Sequence, residues 1–216
     1  MDTKIKVILV DDHAVVRAGF KMLLATCDDI DVIAEAERGE QVLQRLLQQT
    51  ADVIVMDLSM PGLGGLETIR RIRQRHDRVK ILVFSVHDEK VYVSRAIEAG
   101  ADGYITKNSA PGILALALRQ IMQGQSYIEP SLLDDSGTAS GAPDYRAVID
   151  AFSAREFDIF CLLAKGLTLH KVADELCLGY KTAANYSTRI KAKLNVSTLV
   201  ELAHIAQLSG LVRDKI

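Results

Sequence analysis

Ile5 to Asp12 reads IKVILVDD, a mostly aliphatic run that stops abruptly at two carboxylates. The same figure returns three times: Val53–Met56 stops at Asp57, Ile81–Phe84 at Ser85, and Gly103–Thr106 at Lys107. Short apolar runs with little alternation suit strands of a parallel sheet buried on both faces. In such a sheet the carboxyl ends of the strands frame the ligand crevice. Asp11, Asp12, Asp57, Ser85 and Lys107 are therefore expected to converge in one cleft. A packed core has no use for three carboxylates, a hydroxyl and an ammonium. A site that binds a divalent cation and moves a phosphoryl group uses all of them.

Working outward, strand-like and helix-like patterns alternate five times between Lys4 and Gln123. The strands are expected at Ile5–Val10, Asp31–Ala36, Val53–Asp57, Val79–Ser85 and Asp102–Thr106. The helices are expected at Ala14–Thr26, Glu40–Gln49, Leu66–Arg75, Lys90–Ala99 and Pro111–Gln123. Five strand–helix repeats imply an α/β fold, a five-stranded doubly wound parallel sheet with helices on both faces. After it, Pro130, Asp134-Asp135, Ser136-Gly137, Ser140-Gly141 and Pro143 mark a flexible linker, drawn over residues 127–147. That leaves a first domain at 1–126 and a second at 148–216.

The second domain shows only helical periodicity, in four segments: Ser153–Lys165, Leu169–Cys177, Lys181–Leu194 and Thr198–Leu208. Ser153 with Glu156 is a capping box that opens the first of them. A short helix, a turn at Leu178-Gly179 and a longer helix make a helix-turn-helix candidate in a small all-α domain. Residues 149–216 hold 9 Lys+Arg against 7 Asp+Glu, a net of +2, whereas residues 1–148 hold 17 against 21, a net of −4. The helix Lys181–Leu194 carries Lys181, Arg189, Lys191 and Lys193 and no acid, a bias that suits phosphate contact but also a merely solvated face.

Composition narrows the class further. A chain of 216 residues with 49% hydrophobic content can bury a real core. No run approaches the roughly 18 apolar residues of a membrane span, and the N-terminus begins polar and enters a strand pattern directly, so no signal peptide is expected. Cys27, Cys161 and Cys177 are odd in number and far apart, so neither a disulfide framework nor paired zinc spacing is present. Reduced, buried cysteines in a cytoplasmic protein are the expectation. The basic run Arg70, Arg71, Arg73, Arg75, Arg78 and Lys80 is read as the solvated face of the third helix and its exit.

A hard cation such as Mg²⁺ takes a few carboxylates and bridges to phosphate oxygens. Asp11 and Asp12 end the first strand and Asp57 the third, with the Ser59 carbonyl exposed by the Pro61-Gly62 turn as a further ligand. Asp57 is then a nucleophile toward a phosphoryl donor, and Ser85 and Lys107 contact the phosphoryl oxygens. His13 adjoins the acidic pair, but its side chain is expected to leave toward the first helix. Ser59 and His87, two positions past Asp57 and Ser85, border the site.

Residues VDDH (Val10–His13), VMDLSMPG (Val55–Gly62), FS (Phe84-Ser85) and GADGYITK (Gly100–Lys107) together resemble a two-component response regulator with a CheY-like receiver domain. The resemblance covers about residues 4–123 and implies a sheet of order 2-1-3-4-5. It implies that a sensor histidine kinase, or a histidine phosphotransfer domain, phosphorylates Asp57. Mg²⁺ would be held by Asp12, Asp57 and the Ser59 carbonyl, with Asp11 supporting it through water. Ser85 and Tyr104 would form the hydroxyl–aromatic switch pair.

Over residues 149–212, AFSARE (Ala151–Glu156), GLT (Gly166–Thr168), VADEL (Val172–Leu176), KT (Lys181-Thr182) and RIKAKL (Arg189–Leu194) resemble the LuxR/FixJ (NarL) type of helix-turn-helix. Ala183 and Tyr186 depart from the commonest pattern, and Tyr186 is similar to the subgroup of GacA- and BvgA-type global regulators. If the family's docking carries over, Ala184, Asn185, Thr188 and Arg189 line the face toward base edges in double-stranded promoter DNA. Lys181, Thr182, Lys191 and Lys193 then fall to phosphate. The resulting reading is a cytoplasmic transcription factor that phosphorylation switches to a DNA-binding homodimer, with no catalysis beyond self-phosphorylation and self-dephosphorylation at Asp57. A haloacid-dehalogenase-type phosphatase is the rival enzyme, but it would want an Asp where Ser59 stands. A regulator whose output ignores phosphorylation is the other rival, against the intact acidic pair, Ser85 and Lys107.

Overall fold

The structure, a computed structural model, describes residues 4–75, 78–133 and 145–212. The chain divides into two compact units, Met1–Asp134 and Asp135–Ile216. Part of the expected linker, residues 134–144, lies outside the described residues.

In the first unit, strands β1 (Ile5–Val10), β2 (Ile30–Ala36), β3 (Val53–Met56), β4 (Lys80–Ser85) and β5 (Gly103–Thr106) alternate with helices α1 (Ala14–Leu24), α2 (Gly39–Gln48), α3 (Gly65–Arg73), α4 (Lys90–Ala99) and α5 (Pro111–Met122). All β pairings are parallel. Every residue of β3 is buried, as its unalternating VIVM requires of a strand covered on both faces. One face of the sheet packs Val7, Leu9, Val53, Val55, Leu82 and Phe84 against Leu114, Leu118 and Ile121 of α5 and Leu24 at the end of α1. There Phe20 meets Phe84 edge-on at 4.4 Å between ring centres. Because β1, β3, β4 and β5 run side by side in one direction, their polar terminal residues arrive at one edge.

The sheet corrects one expectation. It has six strands, in the order β2-β1-β3-β4-β5-β6, not five. Tyr127 and Ile128 form β6, parallel to Gly103 and Tyr104, inside the stretch read as linker. The pairing is possible because residue 103 is glycine: a Cβ there would stand 2.7 Å from the Tyr127 carbonyl oxygen. A two-residue strand has no periodicity of its own, so the Gly/Pro/Ser-rich stretch that follows masked it.

The second unit is helical: α6 (Arg146–Asp150), α7 (Ala154–Ala164), α8 (Leu169–Glu175), α9 (Tyr180–Leu194) and α10 (Leu199–Leu208). Four helices were expected; the fifth, α6, spans a single turn and a half, too short to register in a periodic pattern. The Ser153–Glu156 capping box is present, and Thr198 with Glu201 forms a second one on α10. Phe152, Phe157, Phe160, Leu163, Val172, Ile190, Leu194, Leu202 and Ile205 are all buried. Of the described cysteines only Cys161 is buried; Cys177 is exposed.

The basic run on α3 is not all solvated. Arg73 donates to the Gly100 carbonyl at 2.6 Å, the Val79 carbonyl at 2.5 Å and the Asp102 carboxylate at 2.6 Å, and Lys80 meets the same carboxylate at 2.8 Å. Asp102 also accepts from the Ile81 amide. These residues fasten α3 and the α4–β5 turn to the entry of β4.

Candidate functional site: an acidic strand-end cleft and a helix-turn-helix

Local structure carries each polar group to the strand-end edge. The Asp57 amide donates to the Val10 carbonyl at 2.9 Å and the Lys107 amide to the Ser85 carbonyl at 2.8 Å, extending the ladder by one rung past each strand. Gly65, at the start of α3, lets the helix approach closely: a Cβ there would lie 2.3 Å from the Asp57 carbonyl oxygen. Gly64 before it holds φ at 74°, a left-handed value that favours glycine.

The side chains converge. Asp57 is 1% and Asp11 4% exposed, and Lys107 reaches both, its Nζ 2.7 Å from Asp57 Oδ2 and 2.5 Å from Asp11 Oδ2. Oxygens of Asp11, Asp12 and Asp57 and a ring nitrogen of His13 all lie within 4.8 Å of one another. Asp57 Oδ1 accepts from the Ser59 amide at 3.2 Å. Burial pushes the Asp57 carboxyl above its ordinary range; Lys107 pulls it back, and the neighbouring Asp11 charge adds to the rise. Burial opposes the charge on Lys107, but Asp57 and Asp11 outweigh it and hold the ammonium above its usual value. Two buried carboxylates share one cation, so the cleft carries surplus negative charge.

Ser85 and Tyr104 are both fully buried. The Ser85 hydroxyl accepts from the His87 amide at 3.3 Å, and the Tyr104 hydroxyl donates to the His87 carbonyl at 2.8 Å. Burial pushes the Tyr104 phenol well above its ordinary value. His87 stacks on Tyr92 at 3.8 Å and 5° and pairs Nε2 with the Ser59 hydroxyl at 3.0 Å. The loops after β3 and β4 are thus joined over the cleft.

Two side chains near the cleft behave differently from their sequence reading or escaped it. His13 turns back onto the acidic pair, its Nδ1 2.8 Å from Asp12 Oδ1, instead of leaving toward α1. Its adjacency to Asp11-Asp12 was the available signal. Arg17, buried on α1, donates to the Asp11 carbonyl at 2.6 Å and to Glu37 at 2.8 Å, pinning the turn that presents the acidic pair. Nothing in its local pattern separates it from a solvated arginine.

In the second unit, α8 and α9 flank the turn Leu176–Gly179, where Cys177 takes a left-handed φ of 51° and Arg155 donates to the Leu176 carbonyl. Ala183, Ser187, Ile190 and Leu194 of α9 are buried at i, i+4, i+7 and i+11. The opposite face exposes Lys181, Thr182, Asn185, Thr188 and Arg189, with Ala184 and Lys191 half-buried at its borders. The Arg189 guanidinium lies 5.0 Å from the Tyr186 ring centre, and the Thr188 hydroxyl donates to the Ala184 carbonyl. Lys193 is engaged within the unit: its Nζ is 2.8 Å from Glu156, whose carboxylate is buried in the α7 cap.

Comparison with known proteins assigns a family to each unit. Residues 7–119 match the family described as response regulator receiver domain, and residues 150–206 match the bacterial regulatory proteins of the luxR family. The transcriptional activator protein ExaE of Pseudomonas putida is 37% identical over 209 residues, spanning 96% of this chain and 98% of that protein. The response regulator GacA of Pseudomonas syringae is 36% identical over the same length and shares. A solved structure of the RcsB response regulator from Salmonella typhimurium superposes with a TM-score of 0.71 over 98% of this chain and 100% of that one, at 24% identity, a likeness of fold.

Proposed function

We infer the function from one premise: this chain belongs to the response regulators that join a receiver domain to a LuxR-type DNA-binding domain, a family of phosphorylated transcription factors. We propose that a sensor histidine kinase, or a histidine phosphotransfer domain, phosphorylates Asp57, and that the modified receiver promotes homodimerisation and binding to promoter DNA. The observation that carries the proposal is Asp57 itself, a 1%-exposed carboxylate held at a strand end, 2.7 Å from an ammonium and beside a second buried carboxylate. A fold gains nothing from that surplus charge; an acceptor of a dianionic phosphoryl group, working with a cation, requires it.

The donors fit Mg²⁺. All three side chains are hard oxygen ligands, and buried oxygens of Asp11 and Asp12 sit in ion-pair contacts without a well-aligned hydrogen bond. Asp12, Asp57 and the Ser59 carbonyl would hold the ion, with Asp11 behind them. When bound it would neutralise phosphoryl oxygens. The chain's own residues then do the rest. Asp57 Oδ supplies the nucleophile, Lys107 is positioned to hold a phosphoryl oxygen as well as the carboxylate, and Ser85 offers the hydroxyl. Tyr104, tied to the His87 carbonyl, is the side chain free to change partner when Ser85 does.

For the second unit, Arg189, Asn185, Thr188 and Ala184 of α9 are proposed to face base edges, and Lys181, Thr182 and Lys191 to meet phosphates. Lys193 is the least available for that role because Glu156 holds it. Incubation of the full chain with acetyl phosphate and Mg²⁺, followed by borohydride trapping and peptide mass spectrometry, is expected to label Asp57. Labelling elsewhere, or equal labelling of Asp57→Ala, would refute the assignment.

A further inference from the structure

Beyond the cleft, one carboxylate gathers hydrogen bonds from the loop that carries Lys107. Glu129, half-buried just after β6, accepts from the Thr106 amide at 2.9 Å and from the Ser109 hydroxyl at 2.5 Å, through the same oxygen. Its own amide donates to the Tyr104 carbonyl at 3.0 Å. The Ser109 oxygen also lies 2.7 Å from the Thr106 carbonyl and 3.1 Å from the Thr106 hydroxyl, so its single proton is shared between Glu129 and that carbonyl. Burial opposes the Glu129 charge, yet the donors from Ser109, Thr106 and Ser131 outweigh it and keep the carboxyl below its ordinary range. Residues 106 and 109 flank Lys107, so the Glu129 side chain holds the backbone from which the ammonium reaches Asp57 and Asp11, while the Glu129 amide adds a main-chain bond to residue 104.

The position of Glu129 in the chain gives this contact its meaning. It follows β6 directly and precedes the short 3-10 turn Pro130–Leu132, on the stretch of chain between the receiver and the DNA-binding unit. Glu129 thus ties the end of β6 to the β5–α5 loop through the Thr106 amide and the Ser109 hydroxyl. Coupling between two such places is reciprocal: whatever one state of the loop does to β6, the matching state of β6 does to the loop.

We propose that Glu129 is a positioning residue for phosphoryl chemistry at Asp57. It acts through Thr106 and Ser109 on Lys107 and links the pocket to the strand that leads out of the receiver. The inference rests on the proposed phosphorylation of Asp57. A cation held at hydrogen-bonding distance loses efficacy when its backbone loosens by a fraction of an ångström. Loosening this loop slows both formation and hydrolysis of the acyl phosphate. Glutamine keeps a carbonyl acceptor for the Thr106 amide and the Ser109 hydroxyl; alanine keeps neither.

The test uses the full-length chain with acetyl phosphate and Mg²⁺, comparing wild type, Glu129→Ala, Glu129→Gln and Ser109→Ala. Phosphorylation and hydrolysis rates are read on phosphate-affinity gels, with thermal unfolding in parallel. In Glu129→Ala both rates are expected to fall about three-fold or more, with Glu129→Gln restored to within about two-fold of wild type and Ser109→Ala between them. Should Glu129→Ala fail to fold, Ser109→Ala and Glu129→Gln carry the comparison. Hydrogen exchange is expected to show altered protection at residues 127–129 on phosphorylation of wild type and none in Asp57→Ala. Unchanged rates in Glu129→Ala and Ser109→Ala, even with a lowered melting temperature, would overturn the proposal and leave a purely structural clip. A wild-type chain that takes no phosphoryl group at Asp57 would instead overturn the functional reading beneath it.

Discussion

Replacing Asp57 with asparagine should stabilise the receiver unit when no divalent cation is present. At an effective dielectric near 20, Lys107 at 2.7 Å attracts the Asp57 charge by about 6 kcal/mol. Asp11, with an oxygen within 4.8 Å of Asp57, repels it by about 3.5 kcal/mol or more on the same scale. That repulsion offsets more than half of the attraction, and what remains does not compensate the burial of an ionised carboxylate. That is the physical content of the raised Asp57 pKa. A neutral isostere removes the repulsion while Lys107 keeps Asp11, so Asp57→Asn should gain roughly 1–2 kcal/mol near pH 7.5. For a unit of about 130 residues this is about 3–6 °C in melting temperature. Because the folded pKa is raised, ionised Asp57 costs stability above that pKa, and the advantage of Asn shrinks as pH falls through it and the wild-type carboxyl protonates. The assay is calorimetry of the full chain in EDTA and in millimolar Mg²⁺. Mg²⁺ should stabilise wild type more than the variant and narrow the gap. A lower melting temperature for Asp57→Asn in EDTA would refute the charge argument.

Three further outcomes follow from single contacts. Lys193→Met should destabilise the second unit by about 1 kcal/mol, a figure discounted because Lys193 is 42% exposed. Burial alone would raise the Glu156 carboxyl, but Lys193 and the Ser153 cap hold it below its ordinary range. The stability from this pair is therefore present above the unfolded carboxyl range and lost as pH falls through the depressed folded value, so the difference between wild type and variant should vanish in acid; a pH-independent difference in urea midpoints would contradict the pairing. Cys177→Gly should raise stability by about 0.5 kcal/mol, because the left-handed backbone costs cysteine more than glycine loses in chain entropy; an unchanged or lower midpoint would show that the turn is unstrained. Arg189→Ala should relax base preference at one position of a selected DNA site, whereas Lys181→Ala should weaken all sequences alike and lower the salt slope by about one; equal effects of both on selected and random DNA would sink the division of roles on α9.

Much of this was readable from residue order because the information is local. A run such as VIVM ending in Asp57 declares both a buried strand and the edge at which its last residue emerges, and four such runs in parallel predict a cleft. Helix α9 is equally legible, since its buried residues recur at helical spacing and leave one basic face. What escaped depends on partners far along the chain. Strand β6 is two residues long and exists because Gly103 leaves room for the Tyr127 carbonyl. Arg73 and Lys80 resemble their solvated neighbours until Asp102 is brought to them, and Lys193 resembles a DNA contact until Glu156 is. Glu129 and Arg17 belong to the same class: charged residues whose roles appear only when the fold closes around them.

On this reading a phosphoryl group on Asp57 controls the DNA-binding helix in the other unit. The most direct measurement is binding of the full-length chain to DNA fragments selected by the phosphorylated protein, with and without acetyl phosphate and Mg²⁺, in wild type and Asp57→Ala. Wild type should bind at least about ten-fold more tightly when phosphorylated, a shift of about 1.4 kcal/mol, and Asp57→Ala should stay at the unphosphorylated level throughout. Equal affinity in all four conditions, with Asp57 demonstrably phosphorylated in wild type, would show that the phosphoryl group does not control DNA binding.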